Sequence, residues 1–453
     1  MKSQKIAEKA YSQVFISSPD YDSVSVYAKR RALLMEKLDS ICFFSGMPQN
    51  PGCEEAFYDS WTRFVQEPAF LYLTGVNQSG CYLLLDPFVK KTVLFVPRKD
   101  PFREFWVGKR LGFEESSDEI KTITGVDEVK PSDEFWKYAV EASRTSRKRH
   151  VYSFFHDGFS CDHNFRFRST LERKLRPHGI SVKNCAREHF SLRLVLEEER
   201  IFDAKHASRI TGDAFRKLLM QMKSLKTERD VSLYLNYEMQ KNSDGDLAFP
   251  TICAVGDNAC CLHYVKNDER LQKGRLLLLD FGVRYGTLHS DVSRTIPIGG
   301  KFNPLEKLLY EIVLDAGLFY RKSVKPGVTL KEIGDIPWNF IIDALETRLV
   351  QRYSGSYTLL YDRRPHGVSH FIGEQIHEGM ASSRSLDVVL ESGMLISCEP
   401  GLYGEFSARI GGKLYREKVG IRIEDDLLIV PGGSVNISDK IPKTVGEIES
   451  LME

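Results

Sequence analysis

Acidic side chains set inside apolar, strand-like segments constrain this chain more than any other feature. In RLLLLDFGVRYGTLHSDVSRT, Asp280 and Asp291 stand eleven positions apart around a short turn. Glu399 ends an apolar run at a Pro-Gly corner in MLISCEPGLYG, and Glu424 follows alternating Ile421 and Ile423 in GIRIEDDLLIV. An ionised carboxylate in such surroundings is costly unless a cation or a set of donors compensates it. Four in one region point to bound metal.

The aspartates give the sharpest geometric expectation. A hairpin centred on Tyr285-Gly286 pairs Arg284 with Thr287 and sets Asp280 directly opposite Asp291, with Cβ atoms ~4.5–5.5 Å apart. Two bare carboxylates at that spacing repel, and a divalent ion between them converts the repulsion into chelation. A hairpin with one buried protonated aspartate and one exposed aspartate satisfies the same pattern. Glu399 and Glu424, each taken alone, fit a structural salt bridge equally well, and strand alternation puts Arg422 on the face of Glu424, where it can orient carboxylates. HGVSHFIGEQIH adds His366, His370 and His377, spaced by four and then seven positions. One imidazole suffices as a ligand, which leaves the others for substrate binding or proton movement.

Four carboxylates and one imidazole form a hard, oxygen-rich set that balances two divalent cations, unlike a closed structural zinc site with its thiolates. Manganese suits such donors best, with cobalt, iron and zinc as further occupants. A pair of ions ~3.5–4 Å apart can activate water and polarise a carbonyl. That is peptide or amide hydrolysis chemistry.

The rest of the chain narrows the setting. Its 453 residues exceed what one core accommodates, ~250–300 residues, so two domains are expected. Lys and Arg total 63 against 62 acidic residues, a balance that gives no global field for nucleic acid or an anionic membrane. The sequence has no apolar leader and no bilayer-length apolar stretch, so a cytoplasmic location is the expectation. Nine cysteines without a CxxC pair argue against a zinc knuckle or a disulfide framework. Cys260, Cys261 and Cys398, beside the acidic motifs, read as packing residues.

FLYLTGV, CYLLLDP, KTVLFVP and VYSFF read as strands of an α/β first domain over 1–190. A second domain over 191–453 opens with a helix whose apolar stripe runs from Ile201 to Met222. Further helices are expected over 228–241, after Asn303-Pro304, and from Thr329 to near Val350. The remainder after 366 is strand-rich.

Taken together, FLYLTGVNQSGCYLLLDP, LHYVKNDE, LLLDFGVRYGTLHSDVSRT, HGVSHFIGEQIHE, SCEPGLY and GIRIEDD resemble, in order, the aminopeptidase P family of pita-bread metallopeptidases. The resemblance spans essentially the whole chain. It implies an α+β pita-bread catalytic domain preceded by an α/β creatinase-like domain, and hydrolysis of the N-terminal Xaa-Pro bond of peptides with proline at position two. Carried onto this sequence, it implies Asp280, Asp291, His370, Glu399 and Glu424 as metal ligands, with Asp291 and Glu424 shared between two ions. His263 then lines the substrate end, His377 contacts the scissile carbonyl, His366 lies toward the leaving group, Glu399 relays a proton, and Arg422 and Tyr403 support the carboxylates. It further implies a homodimer or homotetramer in which Trp106 reaches a neighbouring site, although a core or interdomain tryptophan reads equally well there. The related Xaa-Pro dipeptidases share these ligands and are the nearest alternative, although the short interval between SCEPGLY and GIRIEDD favours aminopeptidase P. Methionine aminopeptidase leaves the first domain unexplained, and creatinase-like chemistry does not need the full ligand set. A non-catalytic peptide-binding module of the same fold is the remaining alternative.

Overall fold

The computed structural model describes residues 2–18, 20–48, 64–114, 117–155, 163–243, 246–379 and 385–453. They form two compact units, Met1–Arg193 and Leu194–Glu453. Cys53 and Cys161 lie outside the described residues.

The first unit is built on six strands: β1 (Cys42–Ser45), β2 (Tyr82–Asp86), β3 (Lys91–Val96), β4 (Glu128–Pro131), β5 (His150–Ser153) and β6 (Ser181–Asn184). Their order is β4-β3-β2-β1-β5-β6, with antiparallel pairing inside β1-β2-β3 and parallel pairing outward to β4, β5 and β6. Alternation sends Cys42, Phe44, Leu83 and Leu85 into one core, while Phe43, Leu84, Val93 and Phe95 enter another with Phe135, Phe167 and Leu171. Both faces of the sheet are therefore covered.

FLYLT, expected as a strand, is a helix, Pro68–Thr74. Its ends overrule its β-rich texture. Glu67 accepts from the Phe70 N–H, Pro68 occupies the first turn, and Gly75 closes the helix in left-handed backbone at φ 69°.

In the second unit, the helix Glu198–Gln221 and the helix Glu228–Gln240 precede β7 (Ile252–Val255), β8 (Leu276–Phe281), β9 (Arg284–Tyr285), β10 (Leu288–His289) and β11 (Val292–Pro297). β8 pairs antiparallel with both β7 and β11. The helix Pro304–Arg321 carries the expected capping box at Asn303 and Glu306. The expected single run from Thr329 is broken instead into helices Leu330–Ile333 and Ile336–Ala344 and a wider π turn over Leu345–Gln351. Gly334 interrupts the pattern, and Pro337 fits only the opening turn of a new helix.

Antiparallel strands follow: β12 (Ser356–Leu359), β13 (Leu395–Cys398), β14 (Gly401–Ile410), β15 (Lys413–Arg422), β16 (Asp425–Val430) and β17 (Gly433–Asn436). They form the sheets β12-β14-β15 and β13-β16-β17, and the helix Val445–Met452 ends the unit. One large core joins the inner faces of these strands to the long helices. Cys260 and Cys398 are buried as expected of packing residues, whereas Cys261 is exposed at the end of a short helical turn. No described helix is long and apolar enough to cross a membrane.

Candidate metal centre

The aspartate hairpin differs from the equal-arm reading. Tyr285 pairs with Leu288 and Arg284 with His289, so the turn is centred one residue later, on Gly286-Thr287. Glycine falls where it is needed: Gly286 has φ 59°, and a Cβ there would lie 2.3 Å from a carboxylate oxygen of Asp203. Asp280 consequently faces Ser293, not Asp291, and the two carboxylates are diagonal neighbours. Because the pairing moves by two positions, both remain on one face of the sheet. The expected direct opposition is wrong, but the expected shared face is right.

His370 reaches the aspartates along the edge of β13. Glu399 N–H donates to the Val368 carbonyl and Ser397 N–H to the His370 carbonyl, both at 2.9 Å, while the His370 N–H donates to Ser397 Oγ at 3.0 Å. This extended strip brings His370 Nε2 within 3.4 Å of Asp291 Oδ2 and 3.5 Å of Glu399 Oε1. Glu424 arrives from the segment between β15 and β16, where its N–H donates to the Ser293 carbonyl at 3.0 Å. Ligand atoms of Asp291, His370 and Glu424 all lie within 4.8 Å of one another.

Asp280 is held from the other side. Arg422 donates to Asp280 Oδ2 at 2.5 Å, to Ser293 Oγ at 2.8 Å and to the Tyr403 hydroxyl at 3.2 Å. Ser293 passes this on to Glu424, donating to Oε2 at 2.7 Å. Arg422 thus touches one carboxylate directly and the other through a serine. Asp280 Oδ1 is buried and has no protein donor among the described residues, which leaves it open to a cation.

The electrostatics show why a cation fits. Burial pushes Asp280 up to about 6, with Asp291 adding to the rise and Arg422 opposing it. Burial likewise raises Glu399 to about 7 and Glu424 far above the usual carboxylate range, with Asp291 again contributing. His370 moves the other way for an imidazole: burial disfavours its charge, yet Asp291 and Glu399 outweigh that and hold it up at about 9. These groups share too little water to ionise together without a positive partner. Divalent ions on the hard oxygen donors satisfy that demand.

The other expected residues surround this cluster. Burial lowers His366 to about 4, and its Nε2 lies 3.1 Å from the Tyr403 hydroxyl while its Nδ1 lies 2.8 Å from the Gly367 carbonyl. Trp338 meets the His366 ring edge-on at 5.2 Å. The His377 ring stands 4.4 Å from that of His370, nearly perpendicular, and its pKa is lowered by burial and by the charge of His370. His263 is exposed. Trp106 belongs to the first unit, on the short helix Pro101–Val107, where it is 53% exposed beside Phe102 and Phe105. The core-tryptophan alternative is therefore wrong, because this helix turns its aromatic face outward.

Two participants escaped the sequence reading. Ser293 joins Arg422 to Glu424, and Asp426 receives the Asp291 N–H at 3.3 Å on each carboxylate oxygen. Strand alternation gave the missing signal, since Ser293 lies two positions beyond Asp291 and Asp426 two beyond Glu424.

Comparison with known proteins agrees with this architecture. Residues 203–431 match "Metallopeptidase family M24", and residues 27–152 match "Aminopeptidase P, N-terminal domain". The chain is similar to "Xaa-Pro aminopeptidase 3" of Mus musculus, 30% identical over 396 residues that cover 86% of this chain and 76% of the mouse protein. It is also similar to the "Xaa-Pro aminopeptidase" of Escherichia coli, 26% identical over 448 residues covering 94% and 97% of the two chains. Among solved structures, a "putative aminopeptidase P from Bacillus anthracis" superposes with a TM-score of 0.78 at 28% identity, covering 95% of this chain and 98% of that one. An aminopeptidase P N-terminal domain thus precedes a pita-bread domain, as the motifs implied. The chain belongs to the aminopeptidase P branch of metallopeptidase family M24, enzymes that use divalent metal to hydrolyse peptide bonds.

Proposed function

We propose that this enzyme removes the first residue of peptides whose second residue is proline, using two divalent ions, manganese by preference, held by Asp280, Asp291, His370, Glu399 and Glu424. The observation that carries the proposal is the convergence of buried Asp291 and Glu424 with half-buried His370, beside an Asp280 oxygen that no donor among the described residues satisfies. The relatives' names, Xaa-Pro aminopeptidases, support the substrate class.

Bound ions supply Lewis acidity toward the scissile carbonyl and toward water. The remaining work falls to side chains. His377, whose pKa burial lowers, offers an N–H to the carbonyl oxygen as charge develops there. Glu399 holds and delivers a proton to the leaving imino nitrogen. His366, fixed by Tyr403 and Trp338, lines the leaving-group side. His263 lines the substrate end. Arg422 keeps Asp280 and, through Ser293, Glu424 in their orientations. Proline has no N–H to offer a peptide clamp, so selection rests on the shape of the space that receives its ring.

A cytoplasmic location and a dimer or tetramer that uses the exposed Trp106 face belong to the same proposal. The deciding assay measures release of the first residue from Xaa-Pro peptides of graded length in the presence of manganese. Cleavage of tripeptides and longer substrates is the expected result. Activity confined to the Xaa-Pro dipeptide would transfer the chain to the dipeptidases, and metal-independent or absent cleavage would reject the mechanism.

A further inference from the structure

The helix Glu228–Gln240 opens with a carboxylate that the chemistry above does not use. Glu228 is fully buried, at 0% exposure. Its Oε1 accepts from the Val255 N–H at 2.7 Å and from Asn258 Nδ2 at 3.0 Å. Its Oε2 accepts from the Tyr264 hydroxyl at 2.8 Å and from the Glu269 N–H at 2.9 Å. The four donors belong to one excursion of the chain, which leaves β7 at Val255 and returns at Glu269. One oxygen grips the outgoing limb and the other the returning limb. His263 stands on the span between them, adjacent to Tyr264, with its own side chain exposed.

We infer that Glu228 is the positioning residue of the loop that carries His263, fixing where that histidine stands at the substrate end of the site. The inference rests on the role proposed above for His263.

A buried carboxylate is an expensive way to hold a loop if cohesion is all that is needed, because apolar side chains of similar volume do it without desolvating a charge. What a carboxylate adds is two acceptor oxygens in a fixed plane, with no donor of its own. Glutamine at this position keeps one acceptor and turns an amide N–H₂ toward one pair of donors, so one limb is released whichever way the amide lies. The loop has further anchors near its return. Asn267, in left-handed backbone at φ 48°, accepts from the Cys253 N–H at 2.8 Å and donates to the Thr251 carbonyl at 2.7 Å. The backbone of Glu228 itself donates to the Glu269 carbonyl at 2.9 Å. These contacts tie the ends to the body of the domain, and the outgoing limb is held further by Tyr361, which donates to the Cys260 carbonyl, and by Asp257 between Arg275 and Lys418. Past Cys261, the Tyr264 hydroxyl bonded to Glu228 ties the stretch that carries His263 to the helix Glu228–Gln240.

The test is a double-mutant cycle on the manganese-loaded full chain, with kcat/KM measured on one Xaa-Pro-containing tripeptide for wild type, Glu228→Gln, His263→Ala and the double variant. With His263 present, Glu228→Gln is expected to cost up to about 10²-fold, the loss that a misplacement of ~1 Å produces. With His263 already removed, it is expected to cost less than about twofold, the scatter of independent sites. Metal content stays unchanged, and amide hydrogen exchange speeds up across 256–268. Equal losses in both backgrounds would mean that Glu228 acts on stability alone, and would overturn the inference. So would full activity of Glu228→Gln beside an impaired His263→Ala. An unimpaired His263→Ala would overturn the inference by a different route, removing His263 from the site. Should Glu228→Gln fail to fold, Tyr264→Phe and Asn258→Ala each delete one bond. Their smaller losses must likewise vanish once His263 is gone, and persistence of those losses would overturn the inference.

Discussion

At the scale of residues, the informative signal was chemical incongruity. Asp280, Asp291, Glu399 and Glu424 declared themselves because each carries a charge where the surrounding sequence predicts burial, and the structure buries Asp280, Asp291 and Glu424 to 9% exposure or less. Ser293 did not declare itself, because a serine in a strand is cheap and its value lies in whom it touches. Glu228 was silent for the same reason, since its partners are spread from Val255 to Glu269. Two outcomes belong here. Glu399→Gln keeps size but not the proton, so turnover is expected to fall about 10²- to 10⁴-fold with metal occupancy retained. Unchanged turnover in a metal-replete sample would remove the proton-relay role. The second concerns protons that compete with the ions. In the folded, metal-free chain Asp280, Glu399 and His370 hold theirs up to about 6, about 7 and about 9, each above its ordinary value. Metal must displace whatever protons remain, so manganese affinity is expected to rise steadily with pH across that interval. Calorimetry in buffers of different ionisation enthalpy would register the released protons, and a flat affinity would contradict the shifts.

At the scale of elements, patterning located most strands and helices, and failed where end chemistry or one glycine outweighed texture. FLYLT looks like a strand until Glu67, Pro68 and Gly75 are read as its caps. The aspartate hairpin looked symmetric about Tyr285-Gly286 until the φ of Gly286 and its approach to Asp203 set the centre one residue later. Such close approaches are invisible in a single sequence because the atom being avoided is remote. Gly420 gives a direct test. It pairs with Tyr403 across β14 and β15, and a Cβ there would sit 2.1 Å from the Ala259 carbonyl oxygen, on the loop that carries His263. Gly420→Ala is expected to destabilise the protein by about 1–3 kcal/mol, as overpacking does. Gly433, whose added Cβ would meet nothing within 4 Å, serves as the control. Urea unfolding of the two variants side by side would decide, and equal midpoints would show that the loop yields freely.

At the scale of the whole molecule, length alone asked for more than one core, and six motifs met in order along the chain pointed to the family that the comparisons then showed. Quaternary structure was not legible: the aromatic face at Phe102, Phe105 and Trp106 is exposed, but exposure does not name its cover. The two compact units have separate apolar clusters, which leads to an expectation for thermal unfolding. Manganese should raise the midpoint of the transition belonging to Leu194–Glu453, by about 2.7 kcal/mol of stabilisation at a hundredfold excess over its dissociation constant. Calorimetry with and without chelator would show it, and an unshifted endotherm would contradict metal binding to the folded state. The junction between Ser293 and Glu424 has a last consequence for how such a protein matures. The residues proposed to hold the cation lie far apart along the polypeptide and are brought together by that junction with the Arg422–Asp280 and Asp291–Asp426 bonds beside it, so no single short segment of a nascent chain carries the whole set. Loading must follow assembly, and a newly made molecule passes through a complete but inert stage whose lifetime is set by the supply of metal.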